Sequence, residues 1–481
     1  MRSWGWLFAS LVLSAACTKP NPAKHCTDGT CTTPNYPFCD VTGAIGGEEG
    51  TCIAVTCNAG EFGECRGDAE VRCNATGNNY DVVQCERGCD AAAEGCRLCS
   101  PNETACTNGT LATCNENGAI VSKQTCALGC FEDQPRCRDI IPSNNLAMYL
   151  DMVPNAPELD LSGGGTIETV TGTVTTGTGS MTVPSFLVSA PANGAKIRVI
   201  VAGRVRLGNV SVIPGGAEDG PALAILASGD ITVEGRIDIT DVDRPTAGGV
   251  SFAGCSGGPG DLRREGSQEL YTAYGGGGHA TPGGRGGGVD FQAGIGGGDG
   301  GGVSGTETLV PLRGGCSSGG ASGGGALQLS SRTRIEVVGV INANGGIVQP
   351  AQDSQSGGGA GGGILLEAPS VVLGAQAKLL ANGGSGPSCS AYAMQSESMA
   401  VALGGSTSSP YCGVGGNGAA VDIAATHGGC ASYTTSVTRF WGGGGGGGLG
   451  RVRINTRDGS YTKASSTIEA AALTTGTLET R

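Results

Sequence analysis

Ile231-Thr232-Val233-Glu234-Gly235-Arg236-Ile237-Asp238-Ile239 and Ile335-Glu336-Val337-Val338-Gly339-Val340-Ile341-Asn342-Ala343 carry one pattern twice, 104 residues apart. Apolar residues fall at alternate positions on both sides of a central glycine. Such alternation marks two short strands with one buried face, hinged where no Cβ is tolerated. The same offset aligns Leu223 with Leu327 and Ile225 with Leu329, so the repeat reaches upstream. Further copies read at 170–174, 199–207 and 373–381, and Val452-Arg453-Ile454 begins a partial last one. One hairpin-sized unit cannot cover its own apolar face, whereas stacked copies bury it against each other. No helical period intervenes. The pattern predicts a mainly β fold, a β-solenoid or β-helix over 165–481, with a β-sandwich as the structural alternative.

Long insertions follow one turn of the repeat, marked by Thr240-Asp241, Asn344-Gly345 and Asn382-Gly383. They hold glycine runs at 275–278, 286–288, 296–302 around Asp299, 323–325, 357–363 around Ala360, and 442–448. Glycine totals 91 of 481 residues, far above the roughly 7% of average usage. Equivalent insertions in a solenoid land on one face. Flexible linkers are the compositional default. The alternative is ordered packing, in which extended chains without Cβ approach closely enough to hydrogen-bond one another. Cys255, Cys316, Cys389, Cys412 and Cys430 all lie in these insertions, and cross-links would have little use in mobile loops. An ordered layer is therefore expected, with at least one thiol left over from the odd five.

Upstream, 17 of the 22 cysteines precede residue 138. Cys57, Cys65, Cys73, Cys85, Cys89 and Cys96 are separated by 7, 7, 11, 3 and 6 residues, and Cys99, Cys106, Cys114, Cys126, Cys130 and Cys137 by 6, 7, 11, 3 and 6. Asn74/Asn115, Gly77/Gly118 and Gly88/Gly129 match at the same offset, so the segment is a tandem duplication. Cys26, Cys31, Cys39 and Cys52 form a smaller leading unit. A forty-residue module buries too little apolar surface to offset chain entropy, and disulfides formed in an oxidising compartment supply the difference. Zinc is the competing use of Cys96-Arg97-Leu98-Cys99, but that CxxC falls at a repeat seam and His25 is the one nearby histidine. Spacing leaves the connectivity open. The modules read as leading unit 26–56, repeats 57–98 and 99–140, and a linker at 141–164.

Residues 1–16 have a basic start, a short apolar run and small residues at the end, as in a secretory signal peptide. Ser14-Ala15-Ala16-Cys17 resembles a bacterial lipobox, with Ser14 in place of the usual Leu. The resemblance implies lipidation of Cys17, residues 17–25 as a tether, and a lipid-anchored outer-membrane or cell-surface location. Plain secretion is the alternative.

The formal charge of −13 offers no basic patch for counterion release, which argues against a nucleic-acid partner. Three GxSxG matches around Ser256, Ser317 and Ser322 are what such glycine content produces, and no helix follows to make a nucleophile elbow. His279 and His427 are the available bases there. Asp290, Asp299 and Asp422 are too scattered for a calcium array, and no cofactor or metal motif emerges. An enzymatic β-helix needs neighbouring carboxylates. Glu234 and Asp238 project outward together, yet the matching positions are Val338 and Asn342, then Gln376 and Leu380. Tyr271, Tyr274, Phe291, Tyr392, Tyr411, Tyr433, Phe440 and Trp441 all fall in insertions, suited to sugar stacking or to plugging gaps.

Together with the ending Gly448-Leu449-Gly450-Arg451-Val452-Arg453-Ile454-Asn455-Thr456, the arrangement resembles a group of uncharacterised secreted bacterial proteins in which Cys modules precede a Gly-rich β region. The resemblance brings no activity. The expectation is a non-enzymatic, envelope-anchored or exported structural or adhesive protein whose partners are a membrane and a surface glycan or protein. A polysaccharide lyase or hydrolase, and a ligand-binding role for the Cys modules, are the alternatives.

Overall fold

The computed structural model describes residues 25, 26 and 29–481, apart from 117–118, 154, 190–195, 215–219, 240–253, 292–294, 349–355, 392–394 and 397. The signal peptide, Cys17, all but one residue of the tether, Thr240-Asp241 and Tyr392 lie outside the described residues. The chain divides into two compact units, the second running from Arg138 to Arg481.

In the first unit each repeat is a small three-stranded antiparallel sheet. Phe62–Arg66, Ala69–Cys73 and Tyr80–Gln84 form one, and Thr104–Thr107, Thr110–Cys114 and Ile120–Thr125 the other. Their cores hold little besides half-cystines: Cys99 and Cys114 pack with Ala105 and Ala112 in the second. Bridges join Cys57–Cys73, Cys65–Cys89 and Cys85–Cys96, then Cys99–Cys114, Cys106–Cys130 and Cys126–Cys137. Both repeats thus pair first with third, second with fifth and fourth with sixth, and none of these bridges crosses between repeats. Cys26–Cys39 and Cys31–Cys52 staple the leading unit. This density of disulfides fits an oxidising environment.

Among the described residues the second unit is mainly β, with one short helix at Ala147–Met152. Three sheets run its length, and each tier of chain adds one strand to each. In one tier these strands are Ala222–Ala227 in the third sheet, Ile231–Val233 in the first and Arg236–Asp238 in the second; in the next they are Ala326–Ser331, Arg334–Val337 and Val340–Asn342, in the same order of sheets. Pairing between tiers is parallel, unlike that of an antiparallel sandwich. The partners are Leu223 with Leu327, Ile225 with Leu329, Ile231 with Ile335, and Ile237 with Ile341. The 104-residue offset is therefore the strand register itself. Inward residues, among them Ile231, Val233, Ile335, Ile341, Ile364 and Leu366, merge into one continuous core. The central glycines stack at a corner: a Cβ on Gly339 would lie 1.9 Å from the carbonyl oxygen of Gly235, and one on Gly235 would lie 2.5 Å from the backbone of Gly208.

Three details of the repeat differ from the sequence reading. The segment 199–207 spans two sheets, and the true counterpart of Ile231 is Val205, not Val199. Stretch 170–174 is no stacked copy. It turns between Gly165–Glu168 and Val174–Thr176, which pair antiparallel and, with Gly179–Met181 and Ser185–Ser189, close that end of two sheets. In 373–381 two extra residues separate the strands, so Ile335 faces Val371 rather than Leu373, while Ile341 still faces Leu379. Alternation survives a two-residue slip, so apolar periodicity alone does not reveal it.

Residues 141–164, expected as a linker, belong to the second unit. They hold the helix and strand Leu159–Leu161, which pairs with Val205–Leu207. The segment is fastened over the third sheet by the buried carboxylate of Glu367. That group accepts hydrogen bonds from the Ser143 N–H and hydroxyl, Gln328, Ser330 and Asn455. Arg332 and Arg481 clamp it further through Asp139 and Asp151.

Two outcomes are expected. Leu366→Ala, which opens a cavity in the continuous core, should lower stability of the full chain by about 2–5 kcal/mol in denaturant unfolding. Non-reducing peptide mapping should return the same three-bridge pattern from both repeats, and a peptide linking 57–96 to 99–137 would contradict it.

Candidate functional site: a glycine lattice

All three long insertions leave after a strand of the second sheet and re-enter at a strand of the third. They connect Arg236–Asp238 to Ala326–Ser331, Val340–Asn342 to Gly363–Glu367, and Lys378–Leu380 to Arg451–Thr456. Their glycine runs therefore emerge from a common side and pack together. Asn344 and Asn382, flagged in the sequence as turn markers, stack at this root. The Asn382 N–H donates to Asn344 Oδ1 at 2.8 Å, and both side-chain amides donate to the carbonyl of Ser396.

The run 442–448 shows how the packing works. Every one of its residues is buried. The N–H groups of Gly442, Gly445 and Gly448 donate to the carbonyls of Tyr271, Tyr274 and Gly277. Those of Gly443 and Gly446 donate to Gly429 and Thr426, and those of Gly444 and Gly447 to Pro387 and Gly384. In return the carbonyls of Gly443 and Gly446 accept from Gly287 and Gly284, those of Gly444 and Gly447 from Gly416 and Ala419, and those of Gly445 and Gly448 from Gly358 and Gly361. These bonds span 2.7 to 3.0 Å. The repeat is three residues, as in a polyproline II-like extended helix, which has no internal hydrogen bonds and must find partners elsewhere. One run thus bonds to six neighbours, some parallel and some antiparallel. Runs 272–278 and 356–362 are surrounded in the same way, and the three central runs also bond to one another.

Close approach forbids side chains. A Cβ on any residue of 442–448 would lie 1.8 to 2.2 Å from a neighbour's carbonyl oxygen. At the lattice surface the constraint lifts: Arg285 and Asp299 project outward and pair at 2.7 Å, and Val414 is exposed. These side chains obstruct further runs from adding to the lattice, as charges do on sheet edges. Cys255–Cys316 and Cys389–Cys412 cross-link insertion segments, and Cys430 is free and exposed.

Aromatic residues close the ends of the runs farthest from the three sheets. Phe440 is fully buried with Leu270, Val289 and Ala431, and Phe291, Tyr411 and Tyr433 pack around it. Tyr433 lies 5.1 Å from Phe440 and 4.4 Å from Phe291, while Tyr271 stacks on Trp441. These rings are packed against one another, as in the plugging role.

The catalytic candidates do not converge. Glu234 is paired with Arg206 at 3.0 Å, and Asp238 accepts from Arg236 at 2.8 Å and from Asn342 at 2.7 Å. Cys255 and Cys316, beside Ser256 and Ser317, are locked in a disulfide within the runs. Ser322 is buried. His279 Nδ1 lies 2.8 Å from the Gly361 carbonyl, and His427 Nδ1 accepts from the Arg285 N–H. Among the described residues three potential metal ligands meet at Cys26, Cys31 and Cys39 and at Glu70, Cys85 and Cys96. Those cysteines are disulfide-bonded, which removes the thiolate a metal needs. Nothing in the sequence reading identified the six-neighbour geometry.

No family model, curated protein or solved structure matched the chain.

Gly446→Val directs a side chain at the Asn417 carbonyl, 1.8 Å away, and should cost more than about 3 kcal/mol in denaturant unfolding. Gly296→Ala, whose Cβ meets nothing within 4 Å, should stay within about 0.5 kcal/mol of the parent.

Proposed function

We propose that this is an exported, envelope-anchored structural or adhesive protein. In this reading Cys17 carries the lipid, the Cys-rich repeats follow the tether, and the second unit is a β-solenoid that displays the glycine lattice toward a surface glycan or protein. The observation that carries the proposal is the lattice itself. A set of backbones joined to one another in six directions is a rigid platform, and rigidity lowers the entropy cost of adhesion. The parallel three-sheet pairing supports the solenoid assignment. The disulfides support export, since such bonds persist outside the reducing cytosol. Ion pairing of Glu234 and Asp238 favours a scaffold over the lyase or hydrolase alternative, which needs a carboxylate free to exchange a proton.

Two experiments test the proposal. Cys17→Ala should move the protein from the membrane to the soluble fraction or arrest its processing. Wild-type protein recovered with an unmodified Cys17 amine would contradict the anchor. Beads coated with the purified chain should adhere to envelope surfaces or immobilised glycans without changing them. Chain cleavage of a polysaccharide by the protein would overturn the non-enzymatic reading.

A further inference from the structure

His279 occupies the tight turn between runs 272–278 and 281–287, at the root where the lattice joins the sheets. Its N–H donates to the Thr281 carbonyl, and its own carbonyl accepts from the Ser304 N–H. The ring is wholly buried. Nδ1 lies 2.8 Å from the carbonyl of Gly361, in central run 356–362, so Nδ1 is the protonated nitrogen of the neutral ring. Nε2 is buried without a hydrogen-bond partner, and the 303–312 loop lies over it: a Cβ on Gly305 would be 3.3 Å away. The charged groups facing the ring are cations. Arg451 opens a third-sheet strand directly after the central run 442–448, and Arg313 follows the loop; both are at least nine-tenths buried. Glu307 of the same loop is the acid that faces Arg451.

We propose that His279 is an acid-sensitive latch at the root of the glycine lattice, holding it closed while neutral and freeing the 303–312 loop when protonated. A proton on Nε2 would create a donor with nothing to accept it, beside two guanidinium groups and away from water. Burying such a charge is costly, and moving the loop aside to admit water is the local remedy. Burial first, and then the positive charge of Arg451 and Arg313, hold the imidazole down to about 4 from its ordinary value near 6.5. The sign follows from linkage. The folded pKa lies below the unfolded one, so the unfolded or opened state binds more protons across that window. The latch contributes fully above about pH 6.5, and its contribution falls as pH drops toward 4, by about tenfold in the folding equilibrium per pH unit.

The test follows the full chain by denaturant unfolding between pH 7 and 4, comparing wild type with His279→Asn, whose amide can still donate to Gly361 but cannot titrate. The wild-type equilibrium constant should fall by about two orders of magnitude more than that of the variant. Equal acid profiles would overturn the proposal. If His279→Asn does not fold, imidazole chemical shifts of the wild-type protein decide the question. His279 should stay neutral until near pH 4 and then protonate together with loss of ordered signals from 303–312. Titration near pH 6.5 with the loop unchanged would overturn it.

Discussion

A backbone amide taken out of water must find a partner, and in this protein that demand is met twice by different means. In the three sheets, strands exchange hydrogen bonds sideways and bury their side chains inward. In an all-glycine run such as 442–448 no side chains are left to bury, so bonds radiate from the run in six directions and the backbone itself becomes the core. Glycine loses more conformational freedom on folding than any other residue. An isolated run would remain disordered, whereas a run such as 442–448, with every N–H donated to a neighbour, is ordered by its surroundings. The lattice is therefore cooperative by construction: removing one central run would leave polar groups unpaired on all six around it.

The sheets provide what the lattice cannot provide for itself, a common origin and direction for its runs. Because every long insertion departs at the same step of the tier, chain segments far apart in sequence start side by side. Asn344 and Asn382 stack at that departure, and His279, Arg313 and Arg451 crowd it. At the far ends Phe440, Tyr433 and Leu270 gather the runs again. Two disulfides fasten insertion segments between these limits. In the first unit the same economy of apolar surface is solved differently, with three bridges in each forty-residue repeat.

Much of this was legible in the residues. The alternation around Gly235 and Gly339 located strands, and the 104-residue offset gave their register to the residue, because parallel stacking places like against like. Phase was harder. Val199 and Val205 both begin apolar alternations followed by a glycine, and only the tier geometry distinguishes which faces Ile231. The extra residues before Ala377 were invisible because a slip of two preserves the inward face. Disulfide connectivity was not readable from spacing, since partners are chosen by the fold. The glycine runs were recognisable as an ordered layer from their shared position and their cysteines. Their hexagonal surroundings were not, because a residue without a side chain carries no mark of which way it faces; only outward residues such as Arg285, Asp299 and Val414 betray the orientation afterwards.

Native-state amide hydrogen exchange of 442–448 tests the central claim most directly. If these glycines are the hydrogen-bonded centre of a lattice, their amides should exchange as slowly as those of core strand Gly363–Glu367, opening only when the unit unfolds. Exchange at the rate of an unfolded chain, while that strand stays protected, would show that the runs are loops and that the lattice does not hold the protein together.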